Sequence, residues 1–177
     1  MSSKNEFNLI ASAQILKQTP YVLERLLGEI TDDMTRSSGD ANNWAPYDVI
    51  GHLIHADETD WIPRAQIILA QGDDPSFKPF DRTAQFEHSR GRTLNDLLVE
   101  FGHLRNASVE TLVRWQLTPE QLTLTGIHPD FGVVTLEQLL STWVVHDLNH
   151  IRQIVTYIAA KYDEMVGPWK AYLSILQ

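Results

Sequence analysis

The amino-acid sequence predicts an all-α fold, a four-helix bundle with a short irregular or hairpin segment before its last long helix. Apolar residues recur every three or four positions along four long stretches, and stretches rich in proline, glycine and polar residues separate them. Alternation typical of strands is confined to residues 118–134. Since the apolar stripes of four helices are buried only against one another, we expect a bundle with more than ~55% helix.

The first predicted helix covers residues 5–30. Pro20 interrupts this stretch, although Thr19 before it is a residue type that caps a fresh helical turn. We therefore expect one long helix with a kink or a brief break at Pro20. The polar residues 31–43 are rich in Asp, Ser and Asn, and they predict a loop.

The second predicted helix lies within residues 42–70, where Pro46 suits a first helical turn. Pro63 removes an interior hydrogen bond, so this helix is expected to bend there. The following stretch, QGDDPSFKPFDR at positions 71–82, breaks the helical pattern.

The third predicted helix begins at Thr93, which can form a capping box with Asp96, and it ends near Trp115. Residues 118–134 follow, with two prolines, two glycines and alternating apolar residues. This composition predicts an irregular excursion or a small hairpin.

The fourth predicted helix begins after a second capping box, formed by Thr135 and Gln138, and it runs to about Tyr162. Gly167 and Pro168 are then expected to prevent the helix from continuing. A short final helix, Trp169–Leu176, is expected to end it.

The length and composition of the chain limit its possible functions. A chain of 177 residues is most simply one domain, 1–177. Its 14 Lys and Arg against 23 Asp and Glu give a net charge of −9, which disfavours nucleic acid as a partner. The chain has no cysteine, so a disulfide, a thiolate metal site and a cysteine nucleophile are excluded. No signal peptide or membrane span is evident, which predicts a cytoplasmic protein with no membrane partner.

Two histidines, His146 and His150, lie four positions apart in the fourth predicted helix. At this spacing side chains share one helix face with ~5–6 Å between their Cβ atoms, so both imidazoles can reach one metal ion. A stable site with an open position needs a third ligand from another helix. His52 in the second helix is the first choice because its neighbours are apolar, and His55, rotated by about 60°, is the reserve.

Simpler interpretations compete with a metal site. A single half-buried histidine is more often a structural residue, and Asp147 stands where a zincin motif has glutamate. His88, His103 and His128 are expected in loops or on polar faces, exposed to solvent. The tryptophans at four positions are expected to anchor the core rather than to form a substrate cage: Trp44, Trp61, Trp115 and Trp143.

The stretches WAPYDVIGHL and GIHPDFGVVTLEQLLSTWVVHDLNHIRQI resemble the DinB superfamily of metal-binding four-helix bundles, and the resemblance extends over nearly the whole chain. It implies an up-down-down-up bundle that binds a divalent metal through one histidine of the second helix and two of the fourth. These correspond to His52, His146 and His150. A homodimer is also predicted, because the resemblance implies dimerisation and because the helices have long apolar stripes.

Three neutral imidazoles would leave a coordination position open for water or a thiol, so the site suits an enzyme acting on a small-molecule substrate. Two reactions are compatible with it, namely metal-dependent hydrolysis and transfer of a low-molecular-weight thiol such as bacillithiol, mycothiol or glutathione. The alternative is a non-catalytic, stress-linked metal-binding or interaction protein. Zinc and nickel are the expected ions, with iron and manganese as alternatives.

The sequence does not identify the catalytic residues. Asp147 points ~100° away from His146 on the helix, so a capping or salt-bridge role is favoured for it. Weaker candidates for a general base are on the second helix: Asp48, Asp57 and Glu58. Gln153 shares the stripe of His146 and His150, which predicts a hydrogen bond to a ligand or to bound water.

Overall fold

The structure is a computed structural model that describes residues 7–36 and 43–177. It is 67% helix, as predicted. Its elements in chain order are α1 (Leu9–Leu27), α2 (Asp32–Thr35), α3 (Pro46–Thr59), α4 (Trp61–Ala70), α5 (Ala84–His88), α6 (Leu94–Arg114), α7 (Pro119–Leu122), β1 (Thr125–His128), β2 (Gly132–Thr135) and α8 (Leu136–Ala160). The predicted last helix is instead a pair of 3₁₀ segments, Gly167–Tyr172 and Ser174–Leu176.

The bundle consists of α1, the consecutive helices α3 and α4, α6, and α8. Helices α1 and α3 each pack against both α6 and α8, so α1 and α3 lie on opposite corners. The core has two clusters that mark the two ends of the bundle. One contains Leu16, Trp61, Leu112 and Leu140, and the other contains Leu23, Val49, Leu97 and Ile154. Helices α1 and α8 therefore run in one direction and the other two in the opposite one, which confirms the up-down-down-up order.

Two helices of the bundle begin as the sequence predicts. The Thr93 hydroxyl accepts a hydrogen bond from the Asp96 amide at 3.1 Å, and the Asp96 carboxylate accepts one from the Thr93 amide at 2.9 Å. At the start of α8 the Thr135 hydroxyl accepts a hydrogen bond from the Gln138 amide at 3.1 Å, and the Gln138 side-chain oxygen accepts one from the Thr135 amide at 2.9 Å. These reciprocal bonds satisfy amides that a helix start otherwise leaves without partners.

The two prolines have different effects on their helices. Helix α1 passes through Pro20 as a single element. The second predicted helix is divided at Asp60, three residues before the expected bend. Pro63 explains the place of the break, because its ring lacks an N–H and collides with the carbonyl of residue 59 in a continuous helix.

The predicted loop after α1 also contains a short helix, α2. The rest of that loop includes residues 37–42, which lie outside the described residues, as does the predicted beginning of the first helix at residues 5 and 6.

The predicted hairpin is present as the antiparallel pair β1 and β2. Its turn places Gly132 at φ 70°, a left-handed conformation that glycine adopts without strain. Backbone hydrogen bonds tie β1 to the loop after α4: the Phe77 amide donates to the Ile127 carbonyl at 2.8 Å, and the Ile127 amide donates to the Pro75 carbonyl at 3.0 Å. The hairpin is therefore fixed beside α4.

None of the described helices combines the length and the apolar content that crossing a membrane would require.

Candidate metal centre

The structure brings His52, His146 and His150 together. The Nε2 atom of His146 lies 3.0 Å from Nε2 of His52 and 3.1 Å from Nε2 of His150. One ring nitrogen from each of the three lies within 4.8 Å of the other two. The first histidine comes from α3 and the others from successive turns of α8, since these antiparallel helices are neighbours in the bundle.

The hydrogen bond of one ring determines which of its nitrogens faces the centre. Nδ1 of His150 donates to Oε1 of Gln153 at 2.9 Å, so the Nε2 lone pair of His150 points toward the other two histidines. The predicted role of Gln153 as a partner of a ligand is consistent with this contact. Three Nε2 atoms that converge at about 3 Å can each give a lone pair to one cation between them. The donor set therefore fits a divalent metal ion.

Burial keeps two of these histidines neutral. The pKa of His52 is lowered from 6.5 to about 3, mainly by burial and in smaller part by the nearby His150 and His146. Burial likewise lowers the pKa of His150 to about 4, with a contribution from His146. Since a neutral imidazole is the form that ligates a metal, both residues are ready to act as ligands at neutral pH.

The remaining histidines are separate from this centre. His55 is half-buried against the Phe80 ring, at a centroid distance of 4.9 Å, and does not join the cluster. His88 pairs with Glu100 at 3.1 Å, and His103 is exposed, as expected. The expectation for His128 was wrong, because this half-buried residue lines the same cleft as the three histidines.

The three histidines line a cleft of about 400 Å³. Its other walls come from α3 and α4, the loop after α4 and the hairpin, and its lining includes Trp44, Trp61, Phe80, Arg82, Asp130 and Phe131. The Trp61 ring lies 5.0 Å from that of His146, and the Trp44 ring lies 5.1 Å from that of His52. Trp44 and Trp61 thus line the cleft, whereas Trp143 is fully buried as predicted.

One end of α4 adds a carboxylate and a cation to the cleft, Asp60 and Arg64. Oδ1 of Asp60 lies 2.6 Å from Nε of Arg64, and Nη2 of Arg64 donates to the Lys78 carbonyl at 3.2 Å. Burial raises the pKa of Asp60, and the charge of Arg64 partly opposes that rise. Neither residue was predicted from the sequence, although a spacing of four positions on a helix favours an ion pair.

The carboxylates that were considered from the sequence do not line the cleft. Asp48 caps α3 by accepting a hydrogen bond from the Ala45 amide at 3.1 Å, and Glu58 is exposed. Asp57 and Asp147 instead bind Arg105 of α6 in a buried ion-pair network. The salt-bridge role favoured for Asp147 is therefore observed, while its partner was not foreseen.

Comparisons with known proteins agree with this structure. A sequence profile of the DinB superfamily matches residues 15–154. Among solved structures, YfiT from Bacillus subtilis is similar with a TM-score of 0.75 and 23% identity, over 91% of this chain and 93% of that one. YfiT is described as "a probable metal-dependent hydrolase with an unusual four-helix bundle topology". No curated protein sequence is similar enough to count as a match. The profile covers well over half of the chain, which therefore belongs to the DinB superfamily.

Proposed function

We propose that this protein is a divalent-metal-dependent hydrolase whose metal is held by His52, His146 and His150. The convergence of three Nε2 atoms in the lining of a cleft is the observation that carries the proposal. The description of YfiT as a probable metal-dependent hydrolase, with the same fold, supports it. Imidazole ligands favour zinc or nickel, with iron and manganese as alternatives.

An incomplete ligand set supports catalysis over a structural metal. Structural zinc sites are usually closed by four protein ligands, whereas catalytic sites keep a position free. Within the described part of the chain, the metal-binding group comprises three histidines and no fourth histidine or carboxylate. The non-catalytic alternative is therefore less well supported.

Asp60 favours hydrolysis over thiol transfer. A bound divalent ion supplies Lewis acidity that lowers the pKa of water or of a thiol. Water must still lose a proton as it attacks, and a carboxylate beside the centre can accept that proton. Asp60 lines the cleft, and Arg64 holds one of its oxygens, so the other is available for this role.

Thiol transfer is the second candidate. A chain without cysteine would take its thiol from a cosubstrate, and a site with an open position could hold it. Once ionised, that thiol would need no carboxylate beside it, so Asp60 would have no function in the reaction. A small-molecule substrate and a second copy of the chain stay predicted partners.

Metal content tests the ligand assignment. Protein purified without an affinity tag should contain about one divalent ion per chain, and His52→Ala or His150→Ala should abolish it while leaving a folded bundle. At a metal concentration of 100 times Kd, the wild type should gain about 2.7 kcal/mol of unfolding free energy that these variants lack. His103→Ala is the control and should change neither quantity. Full metal content in both variants would refute the assignment.

Activity assays separate the two reactions. Hydrolysis of p-nitrophenyl acetate that depends on added zinc or nickel, and that Asp60→Asn reduces by about 100-fold, would support the hydrolase. Conjugation of glutathione or bacillithiol to chlorodinitrobenzene, unaffected by Asp60→Asn, would instead support thiol transfer.

A further inference from the structure

The His128 ring is held from three directions at the end of β1. Its Nδ1 accepts a hydrogen bond from the Asp130 amide at 3.1 Å. Its face stacks on Phe131, with centroids 4.5 Å apart, and it meets Phe77 edge to face at 6.3 Å. The backbone bonds that tie β1 to the loop after α4 fix the strand that carries it. The ring orientation is therefore set before any ligand arrives.

These contacts determine the position of the ring hydrogen. Since Nδ1 accepts from a backbone amide, the hydrogen of the neutral imidazole must be on Nε2. Within the described residues no hydrogen bond occupies Nε2, and the side chain lines the cleft that contains the three histidines. The cleft that contains the three histidines is thus also lined by an oriented N–H donor.

We propose that His128 is a catalytic residue whose Nε2–H donates a hydrogen bond to the substrate oxygen that becomes negatively charged during hydrolysis. This inference rests on the proposed hydrolase function. A donor that is oriented in advance stabilises developing charge without the cost of reorganisation, and a neutral imidazole can fill this role.

The reaction balances as an acyl hydrolysis. The water oxygen forms a bond to the acyl carbon and a water proton passes to Asp60, while the carbonyl electron pair moves onto the oxygen that His128 contacts. When that pair re-forms the carbonyl, the bond to the leaving alcohol or amine breaks. The leaving group takes the proton from Asp60, and the products are an acid and an alcohol or amine. His128 keeps its hydrogen throughout.

The other donors of the cleft are less suited to this role. Arg64 is engaged with Asp60 and with the Lys78 carbonyl. Arg82 is exposed on the loop after α4, where no hydrogen bond to the described residues fixes its guanidinium. Nε1 of Trp61 also has no acceptor among the described residues, but this atom is buried. The half-buried His128 combines a fixed orientation with a free N–H.

Nitrogen-15 NMR of the full chain tests the hydrogen position without any activity. Histidine-labelled protein at pH 7 should show His128 protonated on Nε2 and unprotonated on Nδ1, with the resonance assigned by its loss in His128→Gln. A ring protonated on Nδ1 alone has no Nε2–H to donate, and that result would overturn the inference.

Kinetics and acetate binding of the zinc-loaded chain test the role itself. With p-nitrophenyl acetate, His128→Ala should reduce kcat by about 100-fold with little change in KM, and His128→Gln, which keeps an N–H donor, should recover about tenfold of that loss. The Kd for acetate, a product-like oxyanion, should rise by about tenfold in His128→Ala. His88→Ala, an exposed histidine outside the cleft, is the matched control and should resemble the wild type.

The outcomes distinguish this inference from the proposed function. If the wild type shows no zinc-dependent hydrolysis, the hydrolase proposal fails, and acetate binding then decides whether His128 is an anion-contacting donor. If His128→Ala leaves both kcat and the Kd for acetate within about threefold of the wild type, His128 has no catalytic role. A wild type that neither hydrolyses the ester nor binds acetate also overturns the inference.

Discussion

Two polar clusters lie next to each other inside the bundle, the three histidines and the buried ion-pair network, and they satisfy their polar atoms differently. In the network, Nε and Nη2 of Arg105 donate to Asp57 at 2.8 and 2.9 Å, and Nη2 also donates to Asp147 at 3.1 Å. Two residues of α1 complete the network. Nη1 of Arg105 donates to the Leu16 carbonyl at 3.3 Å, and the Thr19 hydroxyl donates to the Asp147 carboxylate at 2.7 Å. The network therefore connects α1, α3, α6 and α8.

The histidine cluster, by contrast, is incomplete as a purely protein structure. Its three Nε2 atoms face one another, and only His150 has a protein partner on its other ring nitrogen among the described residues. The clusters are adjacent, since Nδ1 of His146 lies 3.9 Å from the Asp147 carboxylate. The comparison teaches that a buried polar cluster with internal partners serves the fold, whereas a cluster whose ring nitrogens converge and leave two outer nitrogens without partners indicates a ligand.

Breaking the network should have the largest effect. Arg105→Met leaves two carboxylates buried without a cation, so the free energy of unfolding should fall by about 3–5 kcal/mol. Urea denaturation at pH 7 measures this loss, and the folded fraction should still bind metal. The exposed Arg90→Met is the control, with a change within about 0.5 kcal/mol. A loss below about 1 kcal/mol for Arg105→Met would show that the network does not support the fold.

Acid should weaken the histidine cluster of the metal-free protein. The pKa values of His52 and His150 are lowered from 6.5 to about 3 and about 4, so below pH 6.5 the unfolded chain binds protons that the folded chain excludes. Stability therefore falls as pH falls, by about 2 kcal/mol between pH 6.5 and 5.5 for the two residues together.

A double variant isolates this contribution. In His52→Leu with His150→Leu, the part of the pH dependence due to these imidazoles should be absent. Burial raises the pKa of Asp57 to about 6, which has the opposite sign, but this carboxyl is present in both proteins and cancels in the difference. Parallel stability profiles for the two proteins, from urea denaturation at each pH, would contradict the prediction.

Removing the partner of one histidine should have the smallest effect. Gln153→Ala deletes the acceptor that orients His150, so the Kd for zinc should rise by about tenfold, or ~1.4 kcal/mol, while one ion per chain still binds. Competitive titration with a chelator measures this Kd. The exposed Gln14→Ala should leave it unchanged, and an unaltered Kd in Gln153→Ala would mean that the contact does not orient the ligand.

Local signals explain how much of the fold was predictable. The capping boxes at Thr93 and Thr135 fix helix starts within four residues of sequence, and the structure has both. The proximity of His146 and His150 follows from the pitch of a single helix. Pro63 shows the limit of such reasoning, because the helix breaks at Asp60, directly after the residue whose carbonyl the proline ring would approach, rather than at the proline itself.

The sequence by itself determined the four long helical stretches, the starts of α6 and α8 and the histidine pair of α8, because these depend on interactions between residues close along the chain. His52 was the first choice for a third ligand because of its apolar neighbours, and the family resemblance implied the same residue. Only the tertiary structure decided that Arg105 meets Asp57 and Asp147, and that Asp60 and His128 share one cleft with the three histidines. Arg105 lies 48 positions from Asp57 and 42 from Asp147, and no helical or strand periodicity links Asp60 or His128 to the three histidines. Their meeting depends on which helices pack together and on the hairpin that two backbone hydrogen bonds fix beside α4.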